Sequence, residues 1–240
     1  QMPVLALETA TLVSGVALAT ESALLAEWKL ETAKTHSELL LPHVEMLLQA
    51  AQVEKQQLQA VAVSLGPGSF TGLRIGLATA KALAYALRIP LIGVPTLEAL
   101  AYNCPAPGLL LSPFLDAQKG NVYQGRYRVE NGRVVEAQPP RVVAFRTALE
   151  ELAAAGEPAM ALGEGAAWLQ QPEYKSWQEF LVPTPLSVAM PRAASVAALA
   201  WQRLQQGDSD EAMTLEPMYI RRSEAEVLWE KRHGQEAGGI

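Results

Sequence analysis

The sequence predicts a two-lobed α/β protein, on three observations. Its 240 residues exceed one average domain yet fit two half-sized lobes that share an interface. Buried-strand patterns alternate with helical ones along the chain. A plan of strand, acid, polar turn and strand occurs twice, around Glu8 and again around Asp116.

Residues 4–7 are a continuous apolar run, the pattern of a strand buried on both faces. A polar turn, Glu8-Thr9-Ala10-Thr11, leads to strands at 13–19 and 24–31 that complete an antiparallel meander. Residues 37–51 read as a helix with Leu40, Val44, Leu47 and Leu48 on one side. Pro42 removes a backbone donor there, so that helix is kinked or starts near the proline. A buried strand at 60–65 is followed by the clearest helix, 71–87, then a strand at 91–94 and a helix at 96–102. Residues 103–108 contain Pro105, Pro107 and Gly108 and are the expected connection between lobes. Beyond them come a strand at 109–115, a polar turn at 116–120 and a strand at 122–129. Asn131-Gly132 turns that strand into a partner at 133–136. A helix at 145–155, a strand at 159–162 and a helix at 192–206 follow. The expected lobes are therefore 1–104 and 105–232, with the last helix free to pack back across their interface. Residues 233–240, with three glycines, read as a disordered tail.

Composition narrows the function. With 25 acidic and 19 basic residues the net charge is -6, and only Arg221-Arg222 and Lys231-Arg232-His233 cluster. Strong unaided nucleic-acid binding, which asks for a basic stripe, is therefore not expected. The single cysteine, Cys104, cannot form an internal disulfide, which fits a reducing, cytoplasmic setting. The apolar run at 4–7 is cut by Glu8 with no basic stretch before it, so neither a signal peptide nor a membrane span is expected. Gln1 ahead of Met2 reads as an addition to the natural start.

The segment Gly66-Pro67-Gly68-Ser69-Phe70-Thr71-Gly72 joins a buried strand to a helix that Ser69 or Thr71 can cap. Glycines let backbone N–H groups approach a ligand, and helix N-termini attract anions. A phosphate site and a plain capped turn both fit; the P-loop lysine and the dinucleotide glycine spacing are missing. Glu8 and Asp116, at matching strand ends, would hold magnesium if they faced each other across a cleft. Alternatively each caps its own turn. Gly72, Gly76, Ala80 and Ala84 recur every four residues and share one helix face. Interior helix glycines cost about 1 kcal/mol against alanine, so something must approach that face closely, either the same lobe or another subunit. His36 and His43 are seven apart, whereas helical metal-binding pairs sit three or four apart, so no metal site is expected. Three histidines in all supply no arguable Ser-His-Asp arrangement.

Taken together, Leu5-Ala6-Leu7-Glu8-Thr9-Ala10-Thr11, His36 with Leu40-Leu41-Pro42, the glycine-rich block through Gly76, and Gly93-Val94-Pro95-Thr96-Leu97 resemble the TsaB (YeaZ) family. Asp116-Ala117 with Gly120 and Val122-Tyr123, and Glu216-Pro217-Met218-Tyr219-Ile220-Arg221, extend the likeness over nearly the whole chain. The resemblance implies an actin-like, sugar-kinase-like (ASKHA) fold, each lobe a ribonuclease-H-like mixed sheet with helices. It also implies a part in making threonylcarbamoyladenosine beside the anticodon of tRNA. In that pathway the paralogous TsaD transfers the group, TsaE joins the assembly, and the TsaB family contributes no catalytic residues.

The chain departs from the family pattern at Glu8, where aspartate is common, and at Gln118 and Asn121, which replace an arginine and a carboxylate. It also lacks the close histidine pair of the transferase. These changes imply a degenerate nucleotide site: Glu8, Gly66, Gly68, Ser69 and Asp116 are its candidates, for weak or interfacial ATP or ADP with magnesium. The expected partner is TsaD, or a second copy when the chain is alone, with tRNA met only through the complex. The expected interface is His36, Leu40, Val44, Gly72, Gly76, Ala80 and Ala84, and leucine at Gly76 or Ala80 should abolish pairing without unfolding the chain. Two enzyme readings compete: an ATPase or phosphotransferase that requires Glu8 and Asp116, and a peptidase acting on TsaD, whose nucleophile and base cannot be named. Arg221, Arg222, Lys231 and Arg232 read either as phosphate contacts within a complex or as a solvated edge.

Overall fold

A computed structural model describes residues 1–31, 39–182 and 184–220. Two five-stranded sheets carry the fold. In the first, β1 (Val4–Glu8), β2 (Val13–Ala19) and β3 (Leu24–Glu31) form the meander, and β4 (Ala60–Ser64) and β5 (Leu91–Val94) add in parallel, in the order β3-β2-β1-β4-β5. The second repeats that plan with β6 (Leu110–Asp116), β7 (Asn121–Glu130), β8 (Arg133–Ala144), β9 (Ala159–Leu162) and β10 (Leu181–Val182), in the order β10-β9-β6-β7-β8. The first strand of each meander thus sits at the centre of its sheet. That is the duplicated ribonuclease-H-like topology, and it puts Glu8 and Asp116 at equivalent strand ends.

Side-chain alternation decides what covers each face. Leu5, Leu7, Val16, Leu18, Val61 and Val63 point to one side of the first sheet, where α1 (Leu40–Ala50) and α2 (Phe70–Leu87) lie on them. On the other side Val4, Ala6, Ala17, Ala60 and Ala62 meet α7 (Ala193–Gln205) through Ala193, Val196, Ala197 and Ala200. Alanine against alanine lets that helix approach the sheet closely. In the second sheet α4 (Phe145–Ala155) and α5 (Glu164–Trp168) cover the outer face around Phe114, Phe145 and Trp168. Its inner face, with Leu111, Leu115, Tyr127 and Met160, is covered by Leu97, Leu100 and Ala101 of α3 (Thr96–Tyr102). A short helix, α6 (Leu186–Ala189), follows β10.

The two inner helices are exchanged between the halves of the chain: α3 from the first half covers the second sheet, and α7 from the second half covers the first. They also contact each other. The division at residue 104 is therefore one of sequence order and not of packing, because each sheet borrows a layer from beyond it. A buried junction at Asn103 ties the exchange. Its side chain donates to the carbonyls of Val188 and Met190 and accepts from Ser195 Oγ at 2.6 Å.

Most element boundaries match the sequence pattern within two residues. The exceptions are α1, which starts at Leu40 rather than 37, the short elements α5, β10 and α6, which were not expected, and β8, which runs to Ala144 through Pro139 and Pro140. Proline lacks a ladder donor, but β8 is an edge strand and tolerates it. Pro42 stands in the first turn of α1, where no intrahelical donor is needed. His36 and the tail at 233–240 lie outside the described residues.

Candidate functional site

The lobes leave a cleft of about 490 Å³ between the turn that ends β1, the turn that opens α2 and the turn that ends β6. Thr11, Ser69, Phe70 and Thr71 line it from one side, and Asp116, Gln118, Tyr123 and Glu164 from the other.

Glu8 is not among these lining residues. Its side chain is fully buried, with Oε1 accepting from the Ala10 N–H at 2.8 Å and from Ser64 Oγ at 2.9 Å. Oε2 has no hydrogen-bond partner among the described residues. Burial pushes this carboxyl up to about 7, against the smaller opposing pull of the two hydrogen bonds. Asp116 does reach the cleft, but its Oδ1 accepts from the Gln118 N–H at 2.8 Å, so it caps its own turn. The two acids therefore do not face each other across the cleft. The acid that approaches Asp116 is Glu164, whose Oε2 accepts from the Asp116 N–H at 3.2 Å and whose carboxyl burial holds above the usual range. Glu164 lies just past the end of β9, across Gly163, so the sequence holds a third acid near a strand end.

The glycine-rich turn is spent on the chain itself. The N–H of Gly66 donates to Thr96 Oγ1 at 2.9 Å, that of Ser69 to the Ala10 carbonyl at 2.7 Å, and that of Gly72 to Ser69 Oγ at 3.3 Å. Gly68 lies against the Ala10 carbonyl. Gly66, at φ +110°, has no room for a side chain, since a Cβ there would come within 2.6 Å of the Met218 carbonyl oxygen. Three N–H groups of the turn are thus engaged within the chain, and Asp116 and Glu164 each use one carboxylate oxygen on a backbone N–H. Of the five candidates Glu8 is sealed off from the cleft, Gly66 lies beneath Met218, and Gly68, Ser69 and Asp116 line the cleft.

The small-residue stripe is corrected too. Gly72, Gly76, Ala80 and Ala84 are buried within the first lobe. A Cβ on Gly76 would run into Thr9 Oγ1, which donates to the Gly72 carbonyl at 2.7 Å, and would sit 3.5 Å from Val63 Cγ2. Leu40 and Val44 face the same sheet. Six of the expected interface residues, Leu40, Val44, Gly72, Gly76, Ala80 and Ala84, are therefore buried where α1 and α2 lie on the sheet. What α2 turns outward is a second stripe, Arg74, Ala78, Ala82 and Ala86, with Tyr85 at 79% exposure. Beside it α1 exposes Leu41 and Met46. Both stripes repeat every four residues, and the glycines were the available signal for which one lies against the sheet.

A family model described as TsaD, tRNA N6-adenosine threonylcarbamoyltransferase, matches residues 30–229. The Bacillus subtilis tRNA threonylcarbamoyladenosine biosynthesis protein TsaB is 33% identical over 233 residues, covering 95% of this chain and 98% of that protein. This chain belongs to the TsaB family. The Escherichia coli TsaB protein is 30% identical over 240 residues, covering 98% of this chain and 100% of that one. Among solved structures, YeaZ from Pseudomonas aeruginosa superposes with a TM-score of 0.75 at 27% identity, covering 92% of this chain and 100% of that chain. Within this TsaB family chain, the motif blocks at 66–76 and 216–220 fall in one place: the first is the turn and opening of α2, and the second crosses directly over it.

Proposed function

We propose that this chain is a non-catalytic accessory subunit in the formation of threonylcarbamoyladenosine in tRNA, and that it binds the TsaD transferase through the outward faces of α1 and α2, with TsaE joining the pair. The observation that carries the reading is that outward face. Ala78, Ala82 and Ala86 make it flat, while Leu41, Met46 and Tyr85 leave apolar surface in water. Flat helix faces of small residues permit close helix-to-helix packing. The match to a family model named for the transferase supports a place in the same pathway, and in the absence of TsaD a second copy takes the same face. The inward stripe removes Gly76 and Ala80 as probes of this interface, since leucine there attacks the core.

The test is reconstitution. Transfer to tRNA by TsaD and TsaE should require this chain, and Ala82→Glu should abolish co-elution with TsaD while leaving the melting temperature within about 2 °C, as exposed substitutions do. Normal pairing by Ala82→Glu would exclude this face. The nucleotide reading is tested separately by titrating the isolated chain with ATP and magnesium; no heat is expected, because the turn and the two acids of the cleft are engaged internally.

A further inference from the structure

Beyond α7 the chain runs along the edge of the first sheet, and its two ends are held very differently. At its base the Asp210 N–H donates to the Leu91 carbonyl at 2.8 Å, and Asp210 Oδ2 accepts from the Gly93 N–H at 2.7 Å. Arg203 grips both Asp208 and Asp210, and Ala212 and Leu215 pack on the core beneath α1 and α2. The far end, 216–220, has a lighter hold. There the Met218 N–H donates to the Leu65 carbonyl at 2.7 Å, and the Met218 carbonyl fills the space that a side chain on Gly66 would need. The half-exposed Tyr219 ring lies 5.7 Å from the half-exposed Phe70 ring, over which the Arg74 guanidinium sits at 5.0 Å.

Leu65 and Gly66 lead into the glycine-rich turn, while Phe70 and Arg74 belong to the first two turns of α2 and face outward. We propose that 216–220 is a strap that holds this turn in place and adds Tyr219 to the end of the α2 docking surface for TsaD, so that this segment controls how that surface is presented. The partner half of this proposal rests on the accessory-subunit reading; the strap half does not. Held among the described residues by one main-chain bond and one partly exposed ring pair, this contact opens at lower free energy than the anchored base. The opening frees Gly66 and Leu65 first, and the start of α2 next.

Three full-length variants test it: Met218→Pro, which deletes the N–H donor; Tyr219→Ala, which deletes the ring; and Met213→Ala, a control on the exposed part of the same segment. Met218→Pro should raise amide exchange over residues 65–75 and weaken TsaD affinity, each about five- to tenfold, the effect of one lost hydrogen bond. Tyr219→Ala should weaken TsaD binding with a smaller change in exchange, and Met213→Ala should alter neither. Wild-type exchange over 65–75 in Met218→Pro would overturn the strap. Raised exchange with unchanged affinity would overturn its part in docking. If the proline variant does not fold, Tyr219→Ala decides both halves: wild-type exchange over 65–75 there overturns the strap, and unchanged affinity overturns its part in docking. If the wild-type chain fails to bind TsaD, the accessory reading fails, and the exchange measurement still decides the strap.

Discussion

Glu8 is a buried carboxyl with, among the described residues, two hydrogen-bond donors on one oxygen and none on the other. Its folded pKa of about 7 lies above the unfolded 4.5, so between those values the folded chain keeps a proton that the unfolded chain has lost. The contribution of Glu8 to stability is therefore full below about pH 4.5, falls as pH rises through 7, and then levels off, a loss of about 3 kcal/mol at 1.36 kcal/mol per unit. Glu8→Gln should flatten that dependence and raise stability at pH 8 by about 2 kcal/mol, after about 1 kcal/mol for an unpaired amide, as read from urea midpoints at pH 5 and 8. A second residue-scale prediction concerns Gly76: alanine there should cost about 2 kcal/mol of stability by overpacking against Thr9, read in the same urea titration. The sequence marked both positions as unusual. It left open whether the acid faced a ligand or its own turn, because that depends on Ser64, 56 residues away.

At the scale of elements, α2 was legible in length and in its glycine-alanine stripe, while the outward stripe of Arg74, Ala78, Ala82 and Ala86 emerged only from the structure. Its N-cap is Ser69, one of the two candidates, and its C-cap is Arg88, in the left-handed region at φ +55°. That conformation costs a side chain about 1 kcal/mol that glycine avoids, partly offset by glycine's greater freedom when unfolded. Arg88→Gly should therefore raise stability by about 0.5 kcal/mol, detectable as a small rise in melting temperature. The partner face belongs to this scale as well: with Ala82 exposed, a charge there acts on binding and not on folding. The inward and outward stripes share one period, and periodicity reports spacing without direction. Contact with Thr9 and Val63 is what turns the glycine stripe inward. In β8 the two prolines concealed a long strand because local propensity carries no information about a strand's place at an edge.

For the whole molecule, the exchange of α3 and α7 between the sheets makes the halves interdependent. Expressed alone, residues 1–104 lack the helix that covers Val4, Ala6, Ala17, Ala60 and Ala62, and residues 105–240 lack the one that covers Leu111, Leu115 and Tyr127. Neither fragment should give the dispersed amide spectrum of a folded domain, and mixing the two should restore it; a folded 1–104 fragment would refute the exchange. By itself the sequence determined the two-sheet class, nearly every strand and helix, the duplicated acid-ended strands and the family. All of these are written in local periodicity, turn chemistry and short motifs. Only the tertiary structure decided that Glu8 is sealed off, that the glycine turn serves Ala10, Thr96 and Met218, and that the small stripe of α2 packs inward. Each of those outcomes is a contact between residues far apart in the chain, and such contacts leave no trace in the spacing of either partner.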